Sequence, residues 1–135
     1  MRTFPGIPLP RRVRLAARVL WGAVLAFTVF FSLYPREAVD ETFSPGFQSY
    51  DWLFHGGCYA ALSFLHLAAF PRRAGKSRFH ARLRAFALCS LLGAVLEVAQ
   101  TIPAVNRSSS VSDAVCNAVG AALGAFLAPP FAILP

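Results

Sequence analysis

The sequence predicts an all-α fold, a four-transmembrane-helix bundle with short loops and both termini cytoplasmic. Three observations lead there. Four apolar runs, at 15–34, 52–70, 85–102 and 114–134, each approach the ~20 residues a helix needs to cross a ~30 Å hydrocarbon core. Hydrophobic residues make up 56% of the 135-residue chain and charged residues 14%, about half the charged share of a soluble domain. Almost all basic residues sit in two places, and threading the runs through a bilayer puts both on one side. The length accommodates a single domain over 1–135.

The first run is broken only by Arg18. It exceeds the ~7–15 apolar residues of a signal peptide and no Ala-x-Ala site follows, so it reads as a retained anchor. The second run opens beside Asp51. The third is the shortest and carries Glu97 and Gln100. The fourth is expected to kink or end at Ala128, because Pro129 and Pro130 remove backbone donors and disfavour helix just before them. None alternates as a barrel strand would. Cys58, Cys89 and Cys116 show no CxxC or Cys/His spacing, which gives neither a disulfide framework nor a zinc motif. They read as small buried hydrophobes.

Charge sets the topology. Arg2, Arg11, Arg12, Arg14 and Arg18 precede or enter the first run. Arg72, Arg73, Lys76, Arg78, Arg82 and Arg84 lie between the second and third, leaving only Arg36 and Arg107 of the 13 basic residues elsewhere. The positive-inside rule then places the N-terminus, the 71–84 loop and the C-terminus in the cytoplasm. Arg18, Arg82 and Arg84 are expected to snorkel to inner headgroups. The net charge of +7 is thus an orientation device with affinity for anionic lipid, and no nucleic acid is expected as a partner. All six acids fall on the outer side: Glu37, Asp40, Glu41, Asp51, Glu97 and Asp113.

Asp51, His55 and Tyr59 are spaced i, i+4, i+8 and share a helix face. Glu97 and Gln100 share a face of the third helix, and Asp113 and Asn117 a face of the fourth. A rise of ~1.5 Å per residue brings His55, Glu97 and Asn117 to similar depth. Arg107, in the short outer loop, is placed to close over them. A carboxylate costs about 3 kcal/mol at a membrane-helix centre on insertion scales, so Glu97 should face the bundle interior, a partner or a water-filled cavity. Plainer readings stand beside this one. Asp51 and Asp113 also suit helix N-caps. Asn117 suits an interhelical hydrogen bond, and Gly120 and Gly124 form a GxxxG that close packing explains fully. Tyr59 suits the core, Tyr34, Tyr50 and Trp52 the outer interface, and His66 a satisfied core histidine.

These residues resemble the VanZ-like family of small bacterial membrane proteins. The resemblance rests on D-x-x-x-H-x-x-x-Y at Asp51, His55 and Tyr59 and E-x-x-Q at Glu97 and Gln100. It ends with Arg107, Asp113, Asn117, Gly120 and Gly124, and covers roughly 15–128. Members often carry Lys directly after the first Asp, where this chain has Trp52. The resemblance implies a multi-pass protein of the bacterial cytoplasmic membrane and a shared polar cluster. It does not imply a reaction, and the low-level teicoplanin resistance linked to the name-giving member does not transfer to this chain.

The favoured function is a binding module. Asp51, His55, Tyr59, Glu97, Gln100, Arg107, Asp113 and Asn117 would receive a lipid headgroup or a lipid-linked cell-envelope precursor. The alternative is a membrane-embedded hydrolase or transferase on a lipid-linked substrate, with His55 as base and Glu97 or Asp51 as its orienting group or acid. In that reading a metal on Asp51, His55, Glu97 and Asp113 is chemically suitable, although the spacing specifies none. No cofactor is expected. Further alternatives are a proton-coupled transporter subunit, forming a homo-oligomer through the GxxxG face, and a purely structural bundle.

Overall fold

A computed structural model describes residues 9–34, 51–70, 77–103 and 110–129, and the side chain of Asp51 lies outside that description. Within these residues the chain forms four helices and no strand: α1 (Arg11–Leu33), α2 (Asp51–Ala69), α3 (Arg78–Gln100) and α4 (Val111–Phe126). The boundaries follow local chemistry as well as hydropathy. α1 begins at Arg11, directly after Pro10, where the missing proline N–H costs nothing. α3 begins at Arg78 instead of 85 because Ser77 caps it, its Oγ accepting the His80 N–H at 3.3 Å. The run expected to be shortest is therefore 23 residues long. Ser110 caps α4 in the same way, accepting the Asp113 N–H at 3.4 Å. α4 stops at Phe126, ahead of Pro129; residues 130–134 lie outside the described residues.

α2 is the central helix. It packs most extensively on α4, and also on α1 and α3, while α3 packs on α4. The α2–α4 contact is close because the GxxxG faces it. A Cβ at Gly120 would collide with the Gly56 carbonyl, and one at Gly124 with the Ala60 carbonyl. Small residues at these positions let the two backbones approach. The face is thereby filled inside the chain. Alanines continue the theme: Leu67, Ala81, Ala85, Ala125 and Ala128 form one buried cluster. Tyr59, Leu62, Cys89 and Ala121 form another.

The distribution of polarity is the reverse of a soluble domain. Leu20, Phe30, Leu53, Leu91, Val95 and Val98 are exposed, while His55, Ser63, His66, Glu97, Gln100 and Asn117 are buried. α1 and α3 are long and apolar enough to cross a membrane, and only 17% and 33% of their most apolar windows are buried within the protein. The core helix of a soluble protein would bury most of that surface. Outward faces this apolar are suited to a lipid environment.

One end of the bundle is basic. Arg18 Nε donates to the Ala69 carbonyl at 3.0 Å and Arg84 to the Phe70 carbonyl at 3.2 Å, both at the C-terminus of α2. Arg82 donates to the Ala128 carbonyl, just past α4, at 2.9 Å. The Arg18 and Arg84 contacts satisfy carbonyls that the end of α2 leaves without an intrahelical partner, and a cation there complements the helix dipole.

Candidate functional site

The opposite end gathers a histidine and two carboxylates. His55 on α2, Glu97 on α3 and Asn117 on α4 are 5%, 6% and 2% exposed. His55 Nδ1 lies 3.0 Å from Asn117 Oδ1. An amide oxygen only accepts, so Nδ1 is the donor in this contact. Glu97 Oε2 accepts the Ser110 N–H at 3.1 Å, at the N-terminus of α4, where the helix dipole favours negative charge. Asp113 stands in the same first turn. One ligand atom each from His55, Glu97 and Asp113 lie within 4.8 Å of one another.

Why these side chains turn inward is clear from what lies outward. The opposite faces of the same helices carry Leu91, Val95 and Val98 on α3 and Val115 and Val119 on α4, all exposed. Turning Glu97 outward would place a carboxylate among acyl chains, whereas the interior offers a backbone donor. Gly93, one turn before Glu97, makes the space. A Cβ there would stand 3.0 Å from Asn117 Cβ and 3.3 Å from Tyr59 Cε1.

The other expected residues are placed differently. Gln100 is buried, but its Nε2 donates to the Ser32 carbonyl at 3.0 Å, tying the C-terminus of α3 to that of α1. Tyr59 is fully buried in the apolar cluster beneath the site, and its hydroxyl has no hydrogen-bond partner among the described residues. Asp113 is not the N-cap of α4, since Ser110 holds that position. Asp51 is the first residue of α2, and Arg107 lies outside the described residues. His66 is not the satisfied core histidine expected. Its ring packs against Trp21 and Phe70, at 6.0 and 4.8 Å between centroids, while Nε2 is buried without a hydrogen-bond partner among the described residues.

Three contributors were missed from sequence. Ser110 was visible only as one of a run of serines, although a Ser three residues before Asp113 is a helix-start signal. Gly93 is a lone helical glycine without a pattern. Ser32 contributes only its carbonyl, which no side-chain pattern reveals. Of the three cysteines expected to be buried, Cys89 is buried and Cys58 and Cys116 are half-buried.

No curated protein and no solved structure matches the chain. A model of the VanZ/LLP1 family does, over residues 18–133. That match takes in all four helices but the first turns of α1, and with them every side chain of the polar cluster. The chain therefore belongs to the VanZ/LLP1 family.

Proposed function

We propose that this membrane protein crosses the bacterial cytoplasmic membrane four times, with both termini inside, and that the polar cluster at its outer end binds the headgroup of a lipid or lipid-linked envelope precursor. The observation that carries this reading is the meeting of His55, Glu97, Asp113 and Asn117, from three helices, at the end of the bundle remote from Arg18, Arg82 and Arg84. The positive-inside rule puts the arginine end in the cytoplasm, so the cluster falls near the outer leaflet. α2, at 19 residues, is of spanning length. α4 has 16 residues, or ~24 Å, and a short span is accommodated by local thinning of the bilayer. α1 belongs to the bundle in this reading, since Trp21 packs on Phe70 at 5.3 Å between centroids and Gln100 holds the Ser32 carbonyl.

The test is native mass spectrometry of the purified chain with bacterial lipids, for the wild type, Arg107→Ala and Glu97→Gln. Selective retention of one headgroup class, weakened in both variants, supports the reading. Equal retention of every lipid by all three proteins removes it.

A hydrolase or transferase acting on a lipid-linked substrate is the second reading. It is favoured by the imidazole oriented by Asn117 with two carboxylates close by, the components of general acid–base catalysis. Turnover of a lipid-linked pyrophosphate by wild type and not by His55→Ala would move it ahead of simple binding.

A further inference from the structure

We propose that His55, Glu97 and Asp113 form a binding site for a divalent transition-metal ion, zinc or manganese. The inference rests on the geometry of these side chains and stands independently of whether a headgroup binds. One ligand atom from each residue lies within 4.8 Å of the others. A tetrahedral ion with ~2.1 Å bonds holds its ligands ~3.4 Å apart, so rotamer adjustments of about an ångström close the site.

This is more than two acids in proximity. The imidazole is held as metal-ligating histidines are held: Nδ1–H donates to the Asn117 amide oxygen at 3.0 Å, which orients the ring and makes Nε2 the nitrogen that would ligate the ion. Glu97 is likewise oriented, one oxygen accepting the Ser110 N–H and the other left for a second partner. The ligands come from three helices that α2–α4 packing holds together, so the donor set is assembled by the fold rather than by one flexible segment.

Charge points the same way. Two carboxylates this close repel each other, and among the described residues no Lys or Arg meets either of them. A divalent cation removes that repulsion and inverts the local field, which would also turn an acidic pocket into one that receives phosphate. One imidazole with two carboxylates suits zinc, a borderline ion, and its carboxylates also suit manganese, whereas calcium and magnesium take all-oxygen shells. Three protein ligands leave a coordination position for water or an anion. Asn117 acts as a positioning residue.

The experiment uses the full chain, with any affinity tag removed, in nanodiscs after chelator treatment. Zinc and manganese are titrated separately, with bound metal counted by mass spectrometry. The expected result is one ion per chain, with affinity falling at least tenfold in His55→Ala, Glu97→Gln and Asp113→Asn and unchanged when the three cysteines are replaced by serine. Asn117→Ala should lose about 10–100-fold, and the ¹⁵N shifts of His55 should move towards the Nε2–H tautomer while helicity is retained. Because a variant can misfold, X-ray absorption is measured on the metal-loaded wild type, where a nitrogen and oxygen shell with imidazole scattering is expected. A wild type that retains no ion, a sulfur shell, or undiminished binding in a folded His55→Ala overturns the proposal. Lipid retention measured on the same samples separates the two ideas: metal without lipid selectivity removes the headgroup reading alone, and lipid selectivity without metal removes the metal site alone.

Discussion

Gly120→Ala adds one methyl group where the backbones of α2 and α4 approach closely. The new Cβ would collide with the Gly56 carbonyl oxygen and also press on the carbonyl carbon at 2.8 Å and Cα at 2.9 Å. These are backbone atoms and cannot rotate away, so α2 and α4 must separate by roughly an ångström. A gap of that size forfeits a quarter to a half of the dispersion attraction across the contact, and overpacking of this kind costs ~1–3 kcal/mol. Gly22→Ala is the matched control, since nothing lies within 4 Å of a Cβ there, and alanine gains up to ~1 kcal/mol in helix propensity. The predicted difference between the two variants is about 2–3 kcal/mol, read from unfolding in mixed micelles by circular dichroism. Gly124→Ala should behave like Gly120→Ala, because its Cβ would strike the Ala60 carbonyl. Equal stability of Gly120→Ala and Gly22→Ala would refute the packing argument.

Further expectations concern the buried polar groups. Glu97→Ala leaves the Ser110 N–H without its acceptor and should cost ~1–3 kcal/mol, whereas Glu97→Gln keeps an acceptor oxygen and should cost less in the same unfolding assay. Gln100→Ala removes the donor to the Ser32 carbonyl; a loss of about 1 kcal/mol should accompany faster amide hydrogen exchange at the C-terminal turn of α1. His66→Leu should stabilise the protein by ~1 kcal/mol, since it replaces a buried ring nitrogen that has no hydrogen bond among the described residues by hydrocarbon. A destabilised His66→Leu would mean that the ring has a polar partner after all.

The helical class and the placement of charge were legible because both follow from bulk solvent preference, which composition records directly. The common level of His55, Glu97 and Asn117 was legible because helix rise is fixed and each residue could be measured from an interfacial end. Helix ends were less so. Hydropathy does not register a polar turn such as 78–84, which is helical because Ser77 caps it and Arg82 and Arg84 find carbonyls. Partner identity was the least legible. Gln100 shares a face with Glu97, yet it serves the α1–α3 contact, because its choice depends on which neighbouring helix presents an unsatisfied carbonyl. Gly93 was missed for a related reason: its value lies in the volume of Asn117 and Tyr59 on other helices.

The whole account turns on a carboxylate, an imidazole and a carboxamide from different helices meeting inside one end of the bundle. Solid-state NMR in lipid bilayers measures this directly, with ¹³C at glutamate carboxyls and ¹⁵N in histidine rings, and Glu97→Gln to assign the signal. The account predicts strong dipolar dephasing between the Glu97 carboxyl and the His55 ring, as expected for ligand atoms within 4.8 Å. A Glu97 signal with no histidine coupling and strong transfer from acyl-chain protons would contradict it.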